Sequence, residues 1–312
     1  MWQLLRQRPW RSVGLSLLVV GLVAAIVWRD ELVYNARLIN AARMGSQYYD
    51  TYPHIAKNVA YGAEPHQRLD VYTPDTPGDY PVIIYVHGGG WNSGNKELYA
   101  LVAQKLVPRG MVVVVPKYAL YPDATYAQMV SDVATVVAWS SQHIAEYGGN
   151  PQRIVVGGQS AGAHLSAMAV LDAQVFATAG VDPAVVCGYY GISGVYDISA
   201  QFAYEQSFGR TAPVMTAVMG GPTAFAATSP MYAIRSGLPP MLLVHGDADE
   251  TVPVQMTIDF ATALREAGVD VTQIIYPERG HSELLFYTIM QDPGQMIVDM
   301  TDFVARVCPA AP

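Results

Sequence analysis

A buried apolar run, Ile154-Val155-Val156, leads into Gly158-Gln159-Ser160-Ala161-Gly162 and then into the helix-forming stretch Ala163 to Leu171. A serine between two glycines, with a strand before it and a helix after it, predicts a sharp strand-to-helix elbow. The small residues Gly158 and Gly162 permit the close chain approach that such a turn requires. The elbow lifts the Ser160 hydroxyl above the sheet edge and brings the first backbone N–H groups of the new helix, beginning with Ala161, beside the reacting carbon. Ser160 is therefore the candidate nucleophile, Ala161 a candidate oxyanion donor and Gln159 a neighbour that supports the turn.

Two further segments supply what a serine hydroxyl lacks. Tyr80 to Val86 predicts a buried strand that ends in His87-Gly88-Gly89-Gly90-Trp91. Glycines there let backbone N–H groups turn toward a developing anion, with the amides of Gly89 and Gly90 as donors, Gly88 shaping the turn, and His87 and Trp91 supporting the loop. Farther on, Met241 to Val244 and Val271 to Tyr276 are apolar strands whose following loops carry Asp247, Asp249 and His281. A serine becomes nucleophilic when an imidazole takes its proton, and a carboxylate must hold that imidazole in one tautomer. The order Ser160, Asp249, His281 fits those roles. Asp249 lies farther past its strand end, where the loop can turn back toward His281, whereas Asp247 is better placed to bond loop amides; spacing alone leaves both open. Glu250 and Glu283 are expected to be solvated, and His164, one helical turn beyond Ser160, to support the elbow.

The stretch His143 to Ile154, the elbow through His164 and Tyr189-Tyr190-Gly191-Ile192-Ser193-Gly194 resemble the α/β-hydrolase superfamily. Within it they are most similar to the branch of hormone-sensitive-lipase-like carboxylesterases, arylformamidases and isoprenylcysteine methylesterases. The resemblance runs from about Leu69 to Val307, and His87-Gly88-Gly89-Gly90-Trp91 is the form common to the wider esterase branch. It implies an α/β-hydrolase fold, a mostly parallel central sheet with helices on both faces and a small helical lid, and hydrolysis of a small or medium apolar carboxylic ester through an acyl-serine. Arylformamidase-type amide hydrolysis, acyl transfer and a non-catalytic ligand-binding role on the same fold are the alternatives. No cofactor is required.

A chain of 312 residues, 51% hydrophobic, can bury one large core. Its alternating strand and helix patterns independently predict a parallel sheet covered on both faces. A net charge of −8 with no basic patch excludes nucleic acid as a partner. The remaining histidines lack metal-ligand spacing, so no metal is expected. Asp132, inside a predicted helix from Tyr126 to Ala145, is expected to bond a nearby loop.

At the N-terminus, Arg6, Arg8 and Arg11 precede an uncharged run from Ser12 to Trp28. Residues 1–29 are therefore expected to be a membrane anchor, with the N-terminus cytoplasmic and the catalytic domain outside; the alternative is a signal sequence cleaved after Val23-Ala24-Ala25. Residues 30–60 are expected to form a linker or stalk helix and 61–312 the catalytic domain, opening on an edge strand at Gln67 to Tyr72. The insertion 198–235, rich in Phe, Tyr and Met, is expected to lie over the serine as a lid. Cys187, inside an apolar strand, is expected to pack as a small side chain. Membrane contact through the N-terminus and a small-molecule ester are the expected partners, and the oligomeric state is open.

Overall fold

The computed structural model describes residues 36–290 and 294–310, without the side chains of 287–290. Eight strands make up its sheet: β1 Ile55–Ala60, β2 Arg68–Tyr72, β3 Tyr80–Val86, β4 Val112–Lys117, β5 Gly149–Gln159, β6 Val186–Ile192, β7 Met241–Gly246 and β8 Val271–Tyr276. Their spatial order is β1-β2-β4-β3-β5-β6-β7-β8. β2 pairs antiparallel with β1 and β4, and every later pairing is parallel.

Apolar residues on both faces of the inner strands explain the parallel core, since such strands must be covered on each side. In β3, Val82, Ile84 and Val86 face one cluster, with Val133 of α3 (Tyr126–His143), Leu165 of α4 (Ala161–Leu171) and Phe260 of α8 (Val254–Glu266). Ile83 and Tyr85 face the other, with Leu101 of α2 (Ala100–Leu106) and Phe303 of α10 (Gln295–Val307). The period-two alternation of the strand thus feeds two helix layers. Thr125 caps α3 by accepting from the Gln128 amide at 3.5 Å, and Ile297, Met300, Phe303 and Val304 give α10 one buried stripe.

Three expectations change. The stretch 30–60 is not a stalk throughout. Its helix α1, described over 36–51, packs Ala41, Met44 and Tyr48 onto the α2 side of the sheet, and Tyr52 just after it joins them. The chain then enters the sheet as β1, so β1 and not β2 is the edge strand. Cys187 is not an unpaired packing residue; it forms a disulfide with Cys308 at the end of α10. The anchor expected at 1–29 lies outside the described residues. Among the described residues no helix is long and apolar enough to cross a membrane.

The insertion 198–235 forms α6 (Ile198–Ser207), α7 (Pro213–Val218) and two short 3-10 turns. Asp197 starts α6 by accepting from the Ala200 amide at 3.0 Å. Between β5 and β6 lies the short helix α5 (Ala173–Ala179), and after β8 comes α9 (His281–Met290).

Candidate active site

The elbow is assembled at the carboxyl end of β5, where open parallel sheets present their functional groups. Ser160 has φ 55° and ψ −122°, a conformation that strains a residue with a side chain by about 1–3 kcal/mol. Its neighbours hold it there. The Ser160 amide donates to Ile192 O at 2.9 Å, and Ser160 O accepts from the His164 amide at 3.1 Å. A Cβ at Gly158 or at Gly162 would stand 2.1 Å from Val86 O, which is why both positions need glycine: β3 runs directly against the turn.

That closeness also fixes the glycine loop after β3. Gly89, Gly90 and Trp91 have φ of 125°, 58° and 64° in succession, a backbone that turns successive amides to one side. Gly89 O accepts from the Ser93 amide at 3.0 Å and from Ser93 Oγ at 2.7 Å. Tyr118 donates its hydroxyl to His87 O at 2.9 Å. Trp91 Nε1 donates to His164 Nδ1 at 3.2 Å, and His164 Nε2 donates to Thr228 O at 2.7 Å, so this ring ties the loop to the insertion. Farther along, Lys96 is buried on Asp70 of β2, with Nζ 2.7 Å from Oδ2. Burial pushes His87 and His164 down to about 4, leaving both neutral supports.

Asp249 and His281 meet across the β7 and β8 loops. Asp249 Oδ1 accepts the amides of Thr251 and Val252, each at 2.9 Å, and Oδ2 accepts His281 Nδ1 at 2.7 Å. Asp247 instead accepts the Glu278 amide at 2.6 Å and bonds the loop. Burial opposes the Asp249 charge, but hydrogen bonds from His245 and His281 outweigh it and hold the carboxyl well below its usual range. Because Nδ1 of His281 faces a carboxylate, that nitrogen carries the proton and Nε2 presents its lone pair. Gln159 Nε2 donates to that lone pair at 3.2 Å. Ser160 shares the cleft with His281, and for Ser160 to pass its proton to Nε2 the Gln159 amide must yield the position.

Sequence reasoning missed His245. Fully buried at the end of β7, it sets Nε2 3.1 Å from Asp249 Oδ2 and 3.0 Å from Val252 O, while Nδ1 lies 2.6 Å from Thr257 Oγ1. Two acceptors at Nε2 require the proton there, and Thr257 donates to Nδ1. The available signal was a histidine ending an apolar strand four residues before Asp249. Asp132 acts as expected, accepting from His66, Gln67 and the Ala119 amide.

The cleft above Ser160 encloses about 350 Å³. Gly89, Gly90, Trp91, Gln159, Ser160 and His281 line it, and the insertion contributes Gln201, Glu205, Ala212 and Met215. The geometry therefore gathers Ser160, His281 and the glycine loop at one opening, with Asp249 buried behind His281. His87, Gly88, Gly158, Gly162 and Ala161 lie behind it.

A sheet in this order, with a serine on the β5–α4 elbow and an Asp–His pair after β7 and β8, defines an α/β-hydrolase. The chain belongs to the BD-FAE family, whose model matches residues 69–264. It is 31% identical over 267 residues to a probable isoprenylcysteine alpha-carbonyl methylesterase of Arabidopsis thaliana, covering 81% of this chain and 55% of that protein. Esterase LipQ of Mycobacterium tuberculosis is 31% identical over 80% of this chain and 62% of its own length. The chain thus spans a little over half the length of these curated relatives. Among solved structures, Thermogutta terrifontis esterase 2 phosphonylated by sarin is similar at 26% identity and a TM-score of 0.67, covering 83% of this chain and 97% of that one.

Proposed function

We propose that this protein is a serine carboxylic-ester hydrolase. The observation that carries the reading is the strained Ser160 elbow opening into one cleft with a His281 imidazole already held by Asp249 at 2.7 Å. In the free enzyme Gln159 occupies His281 Nε2. When an ester enters, the Ser160 hydroxyl replaces that donor, His281 takes its proton, and Oγ attacks the ester carbonyl. The amides of Gly89, Gly90 and Ala161 receive the oxyanion. Removal of one such donor lowers kcat by roughly 10²–10³-fold. His281 returns the proton to the departing alcohol, and water repeats the cycle on the acyl-serine to release the acid.

The esterase relatives support this reading, as does the phosphonylated neighbour, since organophosphonates mark activated hydroxyls. The test is hydrolysis of p-nitrophenyl esters from acetate to palmitate by the full chain and by Ser160→Ala. Turnover that vanishes in the variant, with fluorophosphonate labelling lost alongside it, supports the proposal; equal turnover in both proteins refutes it. The chain-length optimum then reports the size of the acyl pocket.

The proposal extends to location. The arginines before Ser12 to Trp28 and the Cys187–Cys308 disulfide both support a catalytic domain outside the cytoplasm, anchored by its N-terminal segment. Protease protection of the domain in intact cells would refute that orientation.

A further inference from the structure

The wall contributed by the insertion carries a polar feature that ester hydrolysis itself does not use. Gln201 is 4% exposed and lines the cleft. Its Nε2 donates both to Glu205 Oε1 at 3.0 Å and to Thr251 O at 2.9 Å. Both partners are acceptors, so the amide orientation is settled by chemistry. The other end, Oε1, is a buried acceptor that no donor among the described residues serves. Beside it Glu205, whose side chain is 17% exposed, also lines the cleft and takes Arg210 Nη1 on Oε2 at 3.2 Å.

A carboxylate has about four acceptor positions, and Gln201 and Arg210 occupy two. Among the described residues Glu205 is the one cleft-lining residue with a fixed charge, and no Lys or Arg lines the cleft. The remaining insertion wall is apolar, through Ala212 and Met215. A wholly apolar ester arm would satisfy this apolar surface but leave the two acceptors without donors. An anionic arm would meet like charge.

We propose that Glu205, backed by Gln201, is a specificity-determining residue and that the preferred esters carry a hydrogen-bond donor, a hydroxyl or an ammonium group, on the arm that reaches it. Such a donor satisfies the spare carboxylate positions, whereas the same arm ending in a methyl or a carboxylate does not. This rests on the serine-esterase reading above and specifies its substrate class.

The experiment measures kcat/KM by pH-stat for two matched series on the full chain. The acyl series is ethyl butanoate, ethyl 3-hydroxybutanoate, ethyl 3-aminobutanoate and monoethyl succinate; the alcohol series is butyl acetate, 4-hydroxybutyl acetate and 4-aminobutyl acetate. In at least one series the wild type should favour the donor-bearing member over its alkyl match by about fivefold or more, the scale of one net hydrogen bond, and monoethyl succinate should be the poorest acyl substrate. Glu205→Leu should reverse the preference toward alkyl. Glu205→Gln should keep the hydroxyl preference and lose the ammonium one. Because each ratio is taken within one preparation, a partly folded variant leaves it intact; if Glu205→Leu yields no folded protein, the Glu205→Gln ratio decides. An alkyl preference in both series, or ratios unmoved by both substitutions, overturns the proposal. Absence of turnover on every ester together with no fluorophosphonate labelling of Ser160 would instead overturn the esterase reading itself.

Discussion

Acid should unfold this protein through two imidazoles that never touch substrate. His87 and His164 are buried, and burial lowers both from an ordinary 6.5 to about 4. Both stay neutral in the folded protein while the unfolded chain takes up protons, so their stabilising contribution is present above pH 6.5 and is lost as pH falls toward 4. Each contributes about 2 kcal/mol of lost stability between pH 7 and 5, roughly 4 kcal/mol together, with a slope of about 1.2 kcal/mol per pH unit per ring between pH 5 and 6. Asp249 acts in a different window. Its folded value is depressed from 3.8, so its contribution is held above that pH and lost only below it. The assay is urea unfolding at half-unit steps from pH 7 to 4.5, for the wild type and for His164→Gln, which retains a donor and an acceptor and cannot titrate. The variant should lose close to one proton of uptake on unfolding between pH 5 and 6. An unchanged slope in His164→Gln would refute the reasoning, because His164 would then not be held neutral between Trp91 and Thr228.

Removing the second imidazole at Asp249, the proposed triad carboxylate, leaves its Oδ2 with one side-chain donor; His245→Phe is expected to lower kcat/KM tenfold or more, on the scale of a hydrogen bond to a charged group, with partial recovery in His245→Gln, measured on p-nitrophenyl butyrate. Gly162→Ala sets a Cβ 2.1 Å from Val86 O, so fluorophosphonate labelling of Ser160 should fall sharply, and a normally labelled variant would show that the elbow relaxes. Reducing the Cys187–Cys308 bond, which closes a loop of sequence separation 121, should lower unfolding stability by roughly 2–5 kcal/mol, read as the shift in urea midpoint with and without reductant.

The elbow was legible because its chemistry is local: the glycines, the serine and the strand before them are adjacent in the chain, and the contact with Val86 O that demands them leaves a signature in their identity. The loops bearing Asp249 and His281 were legible for a similar reason, each following an apolar strand. Choosing Asp249 over Asp247 required the fold, since the choice depends on which carboxylate the β8 loop meets. β1 escaped notice because Ile-Ala-Lys-Asn-Val-Ala is broken by the adjacent polar pair Lys57-Asn58 and belongs to an edge, where one neighbour and solvent replace the apolar surroundings of an inner strand. The disulfide was hidden by distance along the chain, and His245 by its place inside an apolar run. The second donor on Asp249 and the Gln159 contact at His281 emerge only when loops distant in sequence converge.

The disulfide also bridges the two sets into which a chain break in the insertion would separate the proposed catalytic groups. Cys187 lies before the insertion and Cys308 after His281, and the segment from Phe208 to Thr211 between them is exposed and contains Arg210. A single tryptic nick after Arg210 would put Ser160 and the glycine loop on one polypeptide and Asp249 and His281 on another, still tied by one sulfur bridge. The proposed nucleophile and base would then belong to different chains, held together in reductant by the β6–β7 pairing and by contacts such as His164 Nε2 to Thr228 O.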